Sequence, residues 1–339
     1  MNNIINELST YFEIMLNKRP SRVKVASMIE AGKSEDINSL WREHERIHSE
    51  FIRIFDTISF NGLKKPGFSY LDLKIKIAEK IFENCYFCEM KCYANRTINK
   101  GFCGVGKPKI ASEFVHTGEE VPLIPSHTIF FTGCNFECIY CQNFDISQLP
   151  GAGAEISEKR LAKIIDRRRK EGSRNVNFVG GDPTPNSLYI LKTMKLCNEN
   201  IPVVWNSNFY MSNDAMRLLD GFVDLFLSDF KYGPEGCAKK LSNVPNYWKT
   251  ITRNHKMAKN SGDMIIRHLV LPGHVECCSK PILKWIRDNL GKKTVVNIMG
   301  QYRPVYRAYK CKEITRYPSH SELEEVVKYA RKLGLINLA

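Results

Sequence analysis

No run of apolar residues along these 339 positions approaches the ~18 needed to cross a bilayer, which argues against a helical membrane span. The opening stretch, MNNIINELSTYFEIMLNKRP, lacks a basic segment followed by a clean apolar one, so an export signal is not expected. A disulfide framework is disfavoured on related grounds. Frameworks of that kind belong to small secreted domains, whereas here seven of 12 cysteines fall in two short clusters with ligand-like spacing. The reading is a cytoplasmic protein in reducing surroundings whose cysteines hold metal, long enough for one large α/β core and a smaller appendage.

An acidic balance is also missing. The net charge is +14, and it is uneven: residues 1–126 carry 18 basic against 16 acidic side chains, the remainder 32 against 20. A basic core can meet RNA or an acidic protein partner. Its densest run, Asp166 to Glu171 (DRRRKE), lies on a predicted helix, where a solvated face is the expectation.

Apolar residues at 37, 40, 41, 47, 51, 54, 55 and 58 have helical spacing, and a second helix is predicted over Tyr70 to Glu83. Asn61-Gly62 and Lys64-Lys65-Pro66-Gly67 between them read as a turn. The first of these helices carries His44-Glu45-Arg46-Ile47-His48, which matches the H-E-x-x-H zinc-protease signature. Both histidines fall within the apolar stripe, so packed histidines are expected there.

From Val121 onward strands and helices alternate. Strands are predicted at His127–Thr132, Asn175–Val179, Val203–Asn206, Leu225–Ser228, Met264–Val270 and Val295–Met299. Helices are predicted at Ser157–Glu171, Ser187–Asn198, Ser212–Asp220, Tyr247–Asn260, Lys280–Asn289 and Ser319–Lys332. Six strand–helix repeats argue a parallel sheet, because each crossover returns the chain to the same edge. The resulting division is a helical extension (1–83), a cysteine-rich metal-binding segment (84–120) and a core domain (121–339).

Chemistry concentrates at the strand ends, where parallel α/β folds gather their sites. After the first predicted strand comes TGCNFECIYCQNFDISQ, Thr132 to Gln148, with Cys134, Cys138 and Cys141 spaced C-x₃-C-x₂-C. Three thiolates so close can hold three irons of a cubane cluster and leave the fourth open. An open position separates a metal that does chemistry from one that holds structure. A zinc knuckle, or a set of buried reduced cysteines, is the alternative. Cys85, Cys88, Cys92 and Cys103, spaced C-x₂-C-x₃-C-x₁₀-C, are enough for a structural zinc or a second iron–sulfur cluster, and the spacing leaves the two open. Cys197, Cys237, Cys277, Cys278 and Cys311 show no ligand spacing and read as core or surface thiols. His268 reads as packed.

The cysteine loop, with Tyr140 before its third cysteine and Gln142-Asn143 after, resembles the cluster loop of radical S-adenosylmethionine (SAM) enzymes. More narrowly it resembles pyruvate formate-lyase activating enzyme and its PflX-type relatives, over about Asn84 to the C-terminus. The resemblance implies a partial (β/α)6 TIM-like barrel and a 4Fe–4S cluster on Cys134, Cys138 and Cys141, its open iron chelated by SAM. It implies cofactor-binding roles for further positions, several of which depart from the family pattern. Gly180-Gly181-Asp182-Pro183 is similar to a Gly-Gly-Glu-Pro motif that receives the SAM amino group, with Asp182 in place of Glu. Asn206-Ser207-Asn208 stands where activating enzymes carry Asp-Thr-Asn. Asp229-Phe230-Lys231 is similar to Asp-x-Lys, whose Lys pairs with the SAM carboxylate. Arg267 begins an Arg-x-x-Val-x-Pro-Gly-like strand and is expected to face SAM or substrate, and Gln301 replaces a His.

What the family implies is reductive cleavage of SAM to a 5′-deoxyadenosyl radical that abstracts hydrogen from a substrate. In the activating enzymes the substrate is a glycine of a glycyl-radical partner enzyme, and the electron donor is a flavodoxin or ferredoxin. RNA or a small molecule is the alternative substrate. A non-catalytic iron–sulfur or zinc protein is the alternative outside the class.

Overall fold

The computed structural model describes residues 2–58, 65–149, 153–234 and 236–338; the turn expected at Asn61-Gly62 lies outside them. Seven strands form one sheet in sequential order: β1 (Ile110–His116), β2 (Ser126–Phe131), β3 (Asn175–Gly180), β4 (Val203–Ser207), β5 (Leu225–Asp229), β6 (Asp263–Leu269) and β7 (Val295–Met299). From β2 to β7 every pairing is parallel. The helices Glu158–Lys170, Ser187–Lys195, Asn213–Leu219, Tyr247–Ser261, Lys280–Asn289 and His320–Lys332 follow the six parallel strands in turn. The sheet does not close on itself, so the expected partial barrel of six β/α units is the fold. Ser157, Ser212 and Ser319, predicted as first helical residues, are N-caps whose side chains accept from the N–H of Arg160, Ala215 and Glu322.

Two features were not expected. β1 pairs antiparallel with β2 at the sheet edge. Its apolar residues Phe114 and Val115 are exposed, and no run of buried positions marks it as a strand. The second is a set of short helices, Asn2–Glu7, Ser9–Met15 and Arg22–Ala26, too brief to show a period. They cover the amino end of the barrel. The Tyr11 N–H donates to Asp263 Oδ2 at 2.7 Å and the Arg22 N–H to Asp224 Oδ1 at 2.9 Å. Leu8 and Tyr11 join the inward-facing Val204, Leu225, Leu227, Ile265 and Val295 in a barrel-interior core. The alternate residues Val203, Trp205, Phe226, Met264, Ile266 and Val296 face the larger core under the helices.

The basic run is a solvated face only in part: Arg167 and Lys170 are exposed, as expected, while Arg168 and Arg169 are engaged. Arg168 pairs with Glu113 of β1 at 3.0 Å, and Arg169 donates to the carbonyls of Met15 (2.7 Å) and Asn200 (2.9 Å). Two of its arginines therefore staple the helix to its surroundings. The H-E-x-x-H histidines are packed, as expected. His44 is buried with Nε2 at 3.0 Å from the Tyr70 hydroxyl and 2.9 Å from Lys74 Nζ, and His48 Nε2 lies 3.1 Å from Asp220. The Lys74 side-chain nitrogen at His44 Nε2 takes the position a metal would need. No helix among the described residues is long and apolar enough to cross a membrane.

Candidate cluster and cofactor site

The cysteine loop leaves β2 at the carboxyl edge and is held on three sides. Its backbone runs along the end of the helix Cys237–Ser242, with the N–H of Glu137 and Ile139 donating to Ser242 O (3.1 Å) and Leu241 O (2.9 Å). The segment after β7 covers it, the Arg303 N–H donating to Gln142 Oε1 at 3.0 Å and the Arg307 N–H to Ile139 O at 2.8 Å. On the third side lies the loop after β3. The Gly181 N–H donates to Phe131 O and the Asp182 N–H to Gly133 O. A Cβ on Gly181 would stand 1.9 Å from Gly133 O, and Gly180 has a φ of +119°, so only glycine permits this approach.

Each sulfur of the loop has polar neighbours. Cys138 Sγ receives the Ser242 hydroxyl at 2.9 Å, Cys141 Sγ lies 3.1 Å from Ser147 Oγ, and Cys134 Sγ receives the Phe136 N–H at 3.4 Å and Asn208 Nδ2 at 3.6 Å. Ser242 also bonds the Tyr232 hydroxyl, which bonds Tyr140. Burial pushes the Cys138 thiol up to about 12 and holds those of Cys134 and Cys141 above the ordinary range. A metal that takes these sulfurs must displace their protons. Three sulfurs with donors already aimed at them fit a cluster, because hydrogen bonds to sulfur stabilise and tune it.

Asp182 is buried and fully engaged. Oδ1 accepts the Thr184 N–H at 2.9 Å, and Oδ2 accepts the Ser207 hydroxyl at 3.0 Å and the Asn208 N–H at 2.8 Å. It braces the β3 loop against the β4 loop. Asp229 and Lys231 form an ion pair at the end of β5. Burial works against the charge on Lys231, yet Asp229 more than restores it, and the pKa is raised. Arg267 pairs with Glu119 and Glu120, residues the sequence reading did not single out. A cavity of about 980 Å³ runs along the barrel interior and is lined by these three together with Asn206, Gln301 and Arg303. Their only sequence signal is an acidic pair beside a strand edge, indistinguishable from a surface turn.

The Cys85–Cys103 segment lies against the same rim. Cys103 O accepts the Cys134 N–H at 3.2 Å, and a Cβ on Gly101 would stand 3.4 Å from Cys92 Sγ and 3.5 Å from Cys103 Sγ. Arg96 Nη1 points at Cys85 Sγ from 3.6 Å. The reading of Cys237, Cys277 and Cys278 as unrelated thiols is corrected. They converge, and among the described residues they form the one set of three potential ligands whose atoms all lie within 4.8 Å of one another. Forty residues separate Cys237 from Cys277, so spacing carried no sign of it. His268 is packed, between Phe230 O and Ser279 Oγ, each at 2.8 Å.

An open barrel of six β/α units with a three-cysteine loop on its carboxyl rim defines a class of α/β protein built around a metal cluster. The family model for the radical SAM superfamily matches residues 128–286, and the chain belongs to that superfamily of enzymes. The cofactors of the family, a 4Fe–4S cluster and SAM, are accordingly its own. It is 44% identical over 337 residues to the uncharacterized protein MJ0674 of Methanocaldococcus jannaschii, covering 97% of this chain and 98% of that one. To MJ0808 of the same organism, also uncharacterized, it is 24% identical over 253 residues, 68% of this chain and 74% of that one. Among solved structures it is similar to Streptococcus suis SuiB bound to precursor peptide SuiA, with a TM-score of 0.47 and 13% identity, over 89% of this chain and 61% of SuiB.

Proposed function

We propose that Cys134, Cys138 and Cys141 hold the 4Fe–4S cluster, that the loops after β3, β4 and β5 hold SAM beside it, and that the substrate is a protein, as for the glycyl-radical activating enzymes. One observation carries the reading: the Gly180-Gly181-Asp182 loop and the cysteine loop touch backbone to backbone on the carboxyl rim. When bound, the two cofactors supply a reductive C–S cleavage that ends in removal of a hydrogen atom from the substrate. The chain's own residues bind and exclude water. Lys231, kept charged by Asp229, is the cation for a carboxylate. Glycines 180 and 181 let main-chain groups approach without an intervening side chain. Ser242, Tyr232 and Tyr140 screen the Cys138 side of the loop from solvent.

Support for a protein substrate comes from the Gln142-Asn143, Asp229-x-Lys231 and Arg267 to Gly273 matches. A small polar substrate is the second reading, favoured by the interior cavity with its Glu119, Glu120 and Arg267. For the second cysteine set we propose a metal on Cys85, Cys88, Cys92 and Cys103, serving structure or electron entry from a flavodoxin- or ferredoxin-type donor.

Chain loaded anaerobically with iron and sulfide, then reduced with dithionite, is expected to release 5′-deoxyadenosine from SAM. Cys138→Ala is expected to lose both about four irons per chain, with their share of the absorbance, and the release. Retention of either by the variant, or no release by fully loaded wild type, sinks the proposal. A Cys85→Ser/Cys88→Ser variant is expected to lose about four irons per chain if that set holds a cluster, or about one zinc if it holds an ion. Unchanged metal content rules the second site out.

A further inference from the structure

Cys237, Cys277 and Cys278 meet beside the rim with a geometry unlike that of the other cysteine sets. The Cys237–Cys277 and Cys277–Cys278 sulfur separations are both 3.8 Å. Around a single zinc with bonds of ~2.3 Å, tetrahedral coordination sets thiolate sulfurs about 3.8 Å apart. A disulfide would instead demand about 2.05 Å. A cubane needs wider spacing, since each thiolate serves a different iron. The sulfurs are thus placed for one ion.

Three unusual pieces of backbone produce the placement. Val275–Ser279 is a π-helical turn, a rare conformation found mostly at functional sites, and it carries both Cys277 and Cys278. Gly233, in the loop after β5, passes so close that a Cβ there would stand 1.9 Å from Cys277 O, so a glycine is needed for the two loops to meet. Gly236, with a φ of +62°, then turns the chain into the helix that opens with Cys237. Cys278 is buried, whereas Cys237 and Cys277 are half-buried, which leaves access for an ion and room for a fourth ligand from solvent.

We propose that Cys237, Cys277 and Cys278 bind one zinc ion through three thiolates, a metal site separate from the cluster loop and from the Cys85–Cys103 set. Binding exchanges three S–H protons, released to solvent, for three Zn–S bonds, with no change of oxidation state. The ion would tie the loop after β5 to the loop after β6. The helix it anchors is the one whose last turn carries the cysteine loop.

The test uses full-length, iron-loaded chain, given zinc and then freed of loosely held metal. Wild type is expected to retain about one more zinc per chain than Cys277→Ser, with equal iron in the two. Equal zinc in both overturns the proposal. Should Cys277→Ser also lose iron, the wild type alone decides. Zinc is then expected to protect Cys237 and Cys277 from alkylation, and a chelator to restore it. Alkylation indifferent to zinc, or a disulfide between the two in anaerobically handled protein, overturns it. None of these readouts involves SAM, so failure here and failure of the cluster assignment are distinguishable.

Discussion

Removing the Asp182 carboxylate tests whether the β3 and β4 loops are held together by that side chain. In Asp182→Ala the buried N–H groups of Thr184 and Asn208 lose their acceptor, whereas Ser207 Oγ keeps Thr184 Oγ1 at 3.4 Å. Each orphaned buried donor costs about 1–3 kcal/mol, so the expected destabilisation is about 2–6 kcal/mol. That is a large part of the ~5–15 kcal/mol available to a domain. Asp182→Asn can keep its oxygen at the Oδ2 position for Ser207 and Asn208 and lose only Thr184, for about 1–3 kcal/mol. The order wild type, Asn, Ala follows from the geometry. Urea unfolding of iron-loaded protein measures it, with the fluorescence of Trp205, fully buried on β4, as a local reporter. An Ala variant within about 0.5 kcal/mol of wild type, or Asn worse than Ala, refutes the brace. Full stability with lost SAM binding would make Asp182 a ligand instead.

Two further outcomes are expected. Burial holds His255 down at about 4, below its usual 6.5, with its nitrogens on Ile251 O and Ser228 Oγ. Between those values the unfolded chain takes up a proton that the folded chain refuses, so this group withdraws about 1.4 kcal/mol of stability per pH unit of acidification. Between pH 7 and 5.5 the urea midpoint of His255→Gln should fall less steeply than that of wild type, and equal slopes would refute the argument. Gly181→Ala sets a methyl against Gly133 backbone and is expected to cost about 1–3 kcal/mol and to lower iron retention. Gly67→Ala, with nothing within 4 Å of the new methyl, is the control that should change neither.

The six parallel strands were legible because each is a short apolar run followed by helical periodicity, and that alternation admits few sheets. β1 was not, because an edge strand with exposed Phe114 and Val115 has no burial period to read. The basic run was legible only at its exposed Arg167 and Lys170, for a related reason. Whether an arginine on a helix meets water or a carbonyl depends on what folds over it, and Met15 and Asn200 arrive from distant parts of the chain. The cysteine sets divide the same way. Spacing reveals candidate ligands that share one loop, as for the proposed set Cys134, Cys138 and Cys141. It is blind to Cys237 and Cys277, which are joined only by a crossover.

Buried Arg96 and half-buried Arg267 differ in what balances their charge. Arg267 is matched by Glu119 and Glu120. Arg96 is 3% exposed and takes part in no ion pair among the described residues. It lies over the Phe82 ring, donates to Pro185 O at 3.2 Å and to Cys85 Sγ at 3.6 Å, and has a buried Nε without a partner. A guanidinium stays protonated in any protein, and an uncompensated buried charge costs several kcal/mol. Neutral thiols at Cys85 and Cys103 would leave that charge uncompensated. Thiolates on a metal would supply the missing anion in place, which favours the second metal site whichever metal fills it. Arg96→Met should therefore weaken metal retention by the Cys85–Cys103 set while leaving the Cys134–Cys141 cluster loaded. If the metal stays while the variant folds as wild type, the anion that balances Arg96 is not a metal thiolate.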